Sequence, residues 1–315
     1  MALLPMWMKG TTPEIERIAF EELGETTEVR QSSLKKLKEL INEEQGFCPL
    51  LDDEFLLRFL RAKKFDVSRA FSTLKNYYAF KVRYSGVVTD FLPKDLRSLF
   101  ETDKVFLSPK RGPNGEGILV SFIGSFDIES FTVEQHFAAT LISAEIGMET
   151  DASQVCGSRL IIDMQGMSWR KLRHYINPSF VSSVARCIQD VMPCRICGIH
   201  AVHEPIYFGS AYQAIKPLLS KKLKERIHFH SSDLSSLHKI LPPETLPEEL
   251  GGYLDKKDFQ NFRSIVLQNN DLMERINTYM YNDMRSPYQR NINKTTDGSS
   301  EDKETTRTLF NVSLS

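Results

Sequence analysis

The sequence predicts an α/β fold with a mostly parallel sheet, preceded by a small helical bundle. Three observations carry this expectation. Helical spacing runs to about residue 86, three short strand candidates then alternate with helical stretches, and one more helical pattern follows them. With 315 residues, 41% hydrophobic and 26% charged, the chain can bury one large core, or a large and a small one.

Residues 32–44 open the helical zone. A second helix starts behind Asp52 or Asp53, with Phe55, Leu56, Phe59 and Leu60 inward and Arg58, Arg61, Lys63 and Lys64 largely outward. Asp66 is a good N-cap for a third, in which Val67, Ala70, Phe71, Leu74, Tyr77, Tyr78 and Lys81 follow helical spacing to about Tyr84. Gly112-Pro113-Asn114-Gly115 reads as a turn, and Ile118, Val120, Phe122 and Phe126 then alternate with smaller residues, predicting a strand over 117–126. Arg159 to Met164 carries a short apolar run, as a strand covered on both faces would, and Ile196 to Val202 is the third strand. Helical stretches at 133–149 and 178–191 lie between them, and such crossovers favour parallel pairing. A last helix is predicted from Lys256 to about Tyr281, and the polar Asn-, Thr-, Ser- and Asp-rich sequence from Arg285 onward predicts disorder.

The formal net charge of −1 excludes a whole-protein field suited to nucleic acid, so an anionic partner would have to meet a local patch. The cysteines Cys48, Cys156, Cys187, Cys194 and Cys197 are odd in number, which suits reduced thiols of the cytosol. Met1 to Met8 is apolar but short, with neither a basic n-region nor a clear cleavage site, and is not expected to act as a signal peptide. No run of about 18 apolar residues predicts a transmembrane helix. The sequons at Asn293 and Asn311 carry little weight in a cytosolic chain.

Most candidate chemical motifs have an ordinary structural reading. Cys194-Arg195-Ile196-Cys197 follows Pro193 at a helix end and leads into a strand, whereas a redox pair wants its first thiol at a helix N-terminus. Of the pairs His200/His203 and His228/His230, only the second shares a strand face, and no carboxylate or thiol stands at a metal-ligand spacing; no metal is expected. Gly112, Gly115 and Gly117 match no phosphate-binding loop, and no nucleophile elbow or zinc helix occurs. No poised acid–base pair supports an enzyme, and no cofactor is expected.

The remaining stretch runs from Glu204 to Pro217 and on to Leu218, Leu219, Lys221, Lys222, Lys224 and Arg226. Pro205 suits a first helical turn and Pro217 an end, and Phe208, Ala211, Tyr212 and Ile215 form one stripe. Two readings are open: a core helix followed by a solvated basic turn, or an apolar lid with lysines placed for anionic headgroups.

The order of residues favours the lid. Gly198-Ile-His-Ala-Val-His-Glu-Pro-Ile-Tyr-Phe208, Ile215-Lys-Pro-Leu-Leu, Lys222-Leu-Lys-Glu-Arg-Ile-His228 and Leu246-Pro-Glu-Glu-Leu-Gly-Gly252 resemble the CRAL-TRIO family, within it most nearly the group of tocopherol transfer proteins, retinaldehyde-binding proteins and clavesins. Phe55-Leu-Leu-Arg-Phe-Leu-Arg-Ala-Lys-Lys-Phe-Asp66 is similar to the family's N-terminal helical module, and the likeness spans roughly Leu34 to Leu254. One departure is His203, where the family usually has Asn.

The resemblance implies a five- to six-stranded sheet flooring a lipid cavity that a gate helix closes. Its implied layout is a flexible N-terminus (1–25), the helical module (26–90), the lipid-binding domain (91–255), a C-terminal helix (256–284) and a disordered tail (285–315). By position the gate is about Pro205 to Arg226, with Phe208, Ala211, Ile215, Leu218 and Leu219 facing ligand or membrane. The implied lining includes Phe137, Leu141, Ala144, Ile162, Val184, Cys187, Ile188, Ile196 and Ile199, and a phosphoinositide cleft would use Lys63, Arg195, Lys222 and Arg226. The expected protein is thus a cytoplasmic carrier of one apolar lipid, tocopherol-, retinoid- or isoprenoid-like, peripherally associated with endosomal or plasma membranes. The competing expectation is a phosphoinositide-sensing trafficking adaptor that docks a partner through its tail, without bulk lipid transfer.

Overall fold

The computed structural model describes residues 3–278 and the short strand 280–281. Residues 13–23, expected within a flexible N-terminus, instead form helix α1 (Pro13–Leu23), with Thr12 as its cap and Pro13 in its first turn. Its stripe of Ile15, Ala19 and Leu23 is buried against Ala152, Val155 and Cys156, which is why the segment is ordered. Ahead of it, Met6 donates its amide to Pro109 O (2.7 Å), while the guanidinium of buried Arg111 donates to Pro5 O (3.3 Å) and Met6 O (2.6 Å).

Helix α2 (Thr27–Glu43) is capped by Thr26, and strand β1 (Phe47–Cys48) follows it. Helices α3 (Asp53–Ala62) and α4 (Val67–Arg83) begin at the caps Asp52 and Asp66. Phe55, Phe59 and Tyr77 pack edge to face between α3 and α4, with centroids 5.3 to 6.0 Å apart. Arg58 and Arg61 do not point outward as their spacing predicts. Arg58 pairs with Glu145 (3.1 Å) and Glu149, and Arg61, only 1% exposed, binds Glu25, Asp151 and Gln154. The polar side of α3 meets the larger domain, and buried guanidinium groups are tolerable there because carboxylates face them.

The central sheet has the order β2-β3-β4-β5-β6. Strand β2 (Val105–Leu107) is antiparallel to β3 (Gly117–Phe122); β3, β4 (Ser158–Asp163), β5 (Ile196–Val202) and β6 (Ile227–Phe229) are parallel. The predicted strand over 117–126 thus ends at Phe122, and Phe126 stacks on His136 at 4.2 Å. β2 and β6, of three residues each, are too short to show a period.

A 3₁₀ turn at Pro93–Leu96 leads into α5 (Arg97–Phe100). The crossovers hold α6 (Val133–Gly147), opened by a Thr132–Gln135 capping box, then α7 (Asp151–Cys156), α8 (Trp169–Tyr175) and α9 (Pro178–Arg186). The stretch expected as one helix over 178–191 changes to a π-helical turn at Cys187–Val191. After β5 come α10 (Phe208–Ile215), a 3₁₀ turn at Lys216–Leu218, and α11 (Lys221–Lys224); after β6 comes α12 (Ser235–His238). The predicted C-terminal helix is two, α13 (Lys256–Gln268) and α14 (Asn270–Thr278), with a break at Asn269, and β7 (Met280–Tyr281) pairs antiparallel with β1. The tail expected over 285–315 lies outside the described residues. Among the described residues, no helix is long and apolar enough to cross a membrane.

Candidate lipid-binding site

Strand register lays two apolar rows across one face of the sheet. Leu119 pairs with Leu160, Leu160 with Ile199 and Ile199 with Ile227; the next row runs through Ser121, Ile162, Ala201 and Phe229. Both rows floor a cavity of about 290 Å³ whose lining is overwhelmingly apolar. Helix α6 supplies Phe137, Leu141 and Ala144, the sheet Ile162, Ile196 and Ile199, and the α9 segment Val184 and Ile188. Met6 of the N-terminal strap also reaches the lining, a contribution its isolated position in sequence does not announce.

Cys187 does not line this cavity. It is fully buried and turned toward Tyr77 and Val191 around a separate small void. The regular α-helix ends at Arg186 and Cys187 opens the π turn, where the positional match to the family places it in the lining but the fold does not. Burial holds its thiol far above the ordinary range.

The gate region begins later than its sequence predicts. Pro205 precedes a turn in which Phe208 donates to Pro205 O (2.7 Å), and α10 starts only at Phe208. Phe208, Ile215 and Leu219 line the cavity. Ala211 instead packs with Met164, Leu172 and Ala201, and Leu218 is 41% exposed. Beside the gate, Trp169, Ile206, Tyr207 and Phe229 also present apolar surface to solvent. Trp169 meets Tyr207 edge to face at 5.8 Å, and Tyr207 Oη donates to Met167 O at 2.5 Å. Spacing gives no reason to group Trp169 with Tyr207, because they come from separate segments.

The fold brings the four predicted basic residues together. Burial first, then the charges of Arg69 and Lys222, pushes the Lys63 ammonium below its ordinary value, while Asp190 partly offsets them. Lys222 is lowered by burial and then by Arg226, Arg69, Lys64 and Arg195. Lys64 and Arg69 therefore extend the cluster beyond the predicted four. Arg195 donates to Val155 O and pairs with Glu22, so its charge is partly compensated. Close packing at Gly157 positions this arginine: its φ is +79°, and a Cβ there would lie 2.2 Å from Arg195 O.

The histidines are hydrogen-bonded differently from their sequence pairing. His200 Nδ1 lies 2.9 Å from His230 Nε2, His200 stacks on His228 at 5.2 Å, and His203 Nδ1 lies 2.8 Å from Asp163 Oδ1. At φ +51° His203 occupies the left-handed region, which Asn adopts readily; the bond to Asp163 holds the larger ring there. Among the described residues, no three His, Cys, Asp or Glu side chains converge as metal ligands. Burial raises the Cys194 thiol to about 11, and Cys197 donates to Cys156 O (3.2 Å), an arrangement that does not activate a thiolate.

The sequence matches the CRAL/TRIO domain family over residues 101–252 and the CRAL/TRIO N-terminal domain over 32–76. Alpha-tocopherol transfer protein-like from Mus musculus is 31% identical over 264 residues, covering 84% of this chain and 77% of that protein. Clavesin-1 from Pongo abelii is 31% identical over 263 residues, covering 82% and 73%, and Clavesin-2 from Rattus norvegicus is 31% identical over 266, covering 82% and 80%.

Proposed function

The chain belongs to the CRAL/TRIO family, and from that premise we propose that it carries one apolar lipid and releases it at phosphoinositide-bearing membranes. The observation that carries the reading is the apolar cavity walled partly by α10, with a basic cluster at the end of the same segment. A tocopherol-, retinoid- or similar isoprenoid-like cargo fits the apolar lining. A ligand burying about 400 Å² of apolar surface gains on the order of 10 kcal/mol, before ordering costs, from removal of that surface from water.

The same gain opposes escape into water, so release needs an alternative apolar environment. Ile206, Tyr207, Leu218, Phe229 and Trp169 supply exposed surface for a bilayer, while Lys63, Lys222 and Arg226 supply charge for phosphate headgroups. Opening is favoured only where both contacts improve together, which couples release to arrival at an endosomal or plasma membrane surface.

Native mass spectrometry of the protein from its own source identifies the cargo, and that cargo is then followed between vesicles. Phosphoinositide in the acceptor vesicles is expected to accelerate transfer several-fold. Protein without lipid, together with transfer indifferent to phosphoinositide, would overturn the reading. A tail peptide over 285–315 that captures a trafficking protein, together with absent transfer, would establish the adaptor instead.

A further inference from the structure

One stretch of the cavity wall is polar. His136 and Thr140 of α6, Ser121 of β3 and Tyr175 of α8 all contribute to its lining. His136 is the hub: Nδ1 lies 2.9 Å from Tyr175 Oη, while Nε2 lies 3.2 Å from Ser121 Oγ and 3.3 Å from Lys104 O. The stacked ring of Phe126, 4.2 Å away, fixes the imidazole plane.

The Lys104 carbonyl determines the proton positions, because it can only accept. His136 therefore carries its hydrogen on Nε2, and Nδ1 accepts from the Tyr175 hydroxyl. Thr140 Oγ1 donates to His136 O at 2.9 Å. Tyr175 and Thr140 have spent their hydrogens on the protein and retain acceptor oxygens, whereas the Ser121 hydrogen remains available. The wall thus offers one donor and two acceptors.

We infer that Ser121, Tyr175 and Thr140, oriented by His136, form an anchoring site for the hydroxyl group of a neutral lipid alcohol. This inference rests on the carrier reading and narrows its cargo. A hydroxyl uses both kinds of group, giving its hydrogen to Tyr175 or Thr140 and accepting from Ser121. An ether accepts from Ser121 but has no hydrogen to give Tyr175 or Thr140, and a hydrocarbon leaves the Ser121 hydrogen without an acceptor. A fatty acid carboxylate finds no free cation: among the described lining residues only Arg159 is charged, and it is committed to Glu116 at 2.9 Å and His200 at 3.2 Å. Burial lowers His136 to about 4, so it stays neutral near physiological pH and supplies no counter-charge.

The test uses cetyl alcohol, its methyl ether and palmitic acid, each offered to the full chain from neutral vesicles, with retained lipid per protein measured by mass spectrometry. The wild type is expected to retain the alcohol about fivefold more than the ether, which forgoes one hydrogen bond worth about 1 kcal/mol, and at least about tenfold more than the acid, whose charge finds no partner in the cavity. Tyr175→Phe keeps the ring and Ser121→Ala keeps the strand. Each is expected to shrink the preference about threefold or more; Ser121→Ala, which leaves His136 Nε2 its bond to Lys104 O, should keep the melting temperature, whereas Tyr175→Phe should lower it by a few degrees because His136 Nδ1 loses its donor. Equal retention of all three lipids, or a preference surviving in both variants, overturns the anchor and leaves the carrier reading standing. If none of the three loads, both fall.

Discussion

Ser220 donates its backbone N–H to Gln189 Oε1 at 3.1 Å, tying the start of α11 to the π-helical turn at Cys187–Val191. Within the same turn Ile188 lines the cavity, and Asp190 acts electrostatically on Lys63. The turn therefore touches the cavity, the junction before α11 and the basic cluster within three consecutive residues. Replacing Gln189 with Leu removes the tether without changing the lining. One neutral hydrogen bond is worth about 1 kcal/mol, so cargo release to acceptor vesicles should accelerate roughly fivefold. Stopped-flow transfer checks this, and an unchanged rate would exclude the tether from gating.

On the proposed function, the basic cluster can be altered apart from the cavity. Lys222 and Arg226 do not appear among the cavity-lining residues, so Lys222→Ala with Arg226→Ala should leave loading intact. At about 1 kcal/mol per cation near an anionic surface, the double variant should bind phosphoinositide vesicles roughly 30-fold more weakly at low salt. Glu22→Gln should act in the opposite direction, because it releases Arg195 from its ion pair. A several-fold gain in vesicle affinity is expected, screened away as salt rises. Vesicle sedimentation at two ionic strengths measures both; identical binding by all three proteins would place the membrane contact elsewhere.

The strands and helices were legible because they leave local periods, whereas the lining and the gate were legible only through the family resemblance. Ile162, Ile196 and Ile199 line the cavity where the family resemblance placed them. Three features left no such trace. Cys187, which the resemblance placed in the lining, opens a π turn and faces a separate void, and no local sequence pattern marks that turn. Arg58 and Arg61 are buried because a second module packs on the polar side of α3, and their partners Glu145, Glu149, Glu25 and Asp151 come from other segments. His136 lies on α6 among apolar neighbours, and only the fold places Ser121 and Tyr175 around its ring.

Ile162 stands in the middle of the floor, beside Ala201 in the neighbouring strand. Ile162→Trp directs an indole into space that the native side chain leaves open. Where a void exists, extra volume costs little stability, so the variant should melt within a few degrees of the wild type. Lipid recovered with it should fall at least about tenfold, because the lost cavity forfeits apolar contact worth several kcal/mol. Full native loading, measured by mass spectrometry, would move the cargo out of this cavity.

Acid should destabilise the protein well before its carboxylates protonate. Burial lowers His136 to about 4 and lowers His200 to about 3, with Arg159 and His230 adding to the latter shift. In the unfolded chain both rings take up a proton near pH 6.5, whereas in the fold they stay neutral until much lower pH. The unfolded state consequently binds more protons over this interval, and stability falls as pH drops below about 6.5. Each ring contributes about 1.4 kcal/mol per pH unit, or roughly 2 kcal/mol lost by pH 5. Glu25 works in a lower window: burial alone would raise it, but its bonds with Arg61 and Arg30 outweigh that and lower it. Its stabilisation is present above its unfolded pKa of about 4.5 and disappears only as pH falls through the lower folded value. Urea unfolding at pH 7.5 and pH 5 should differ by about 4 kcal/mol, and His136→Gln should remove about one proton's share of the slope. Stability that stays flat over that range would mean that the two imidazoles are not held neutral by burial.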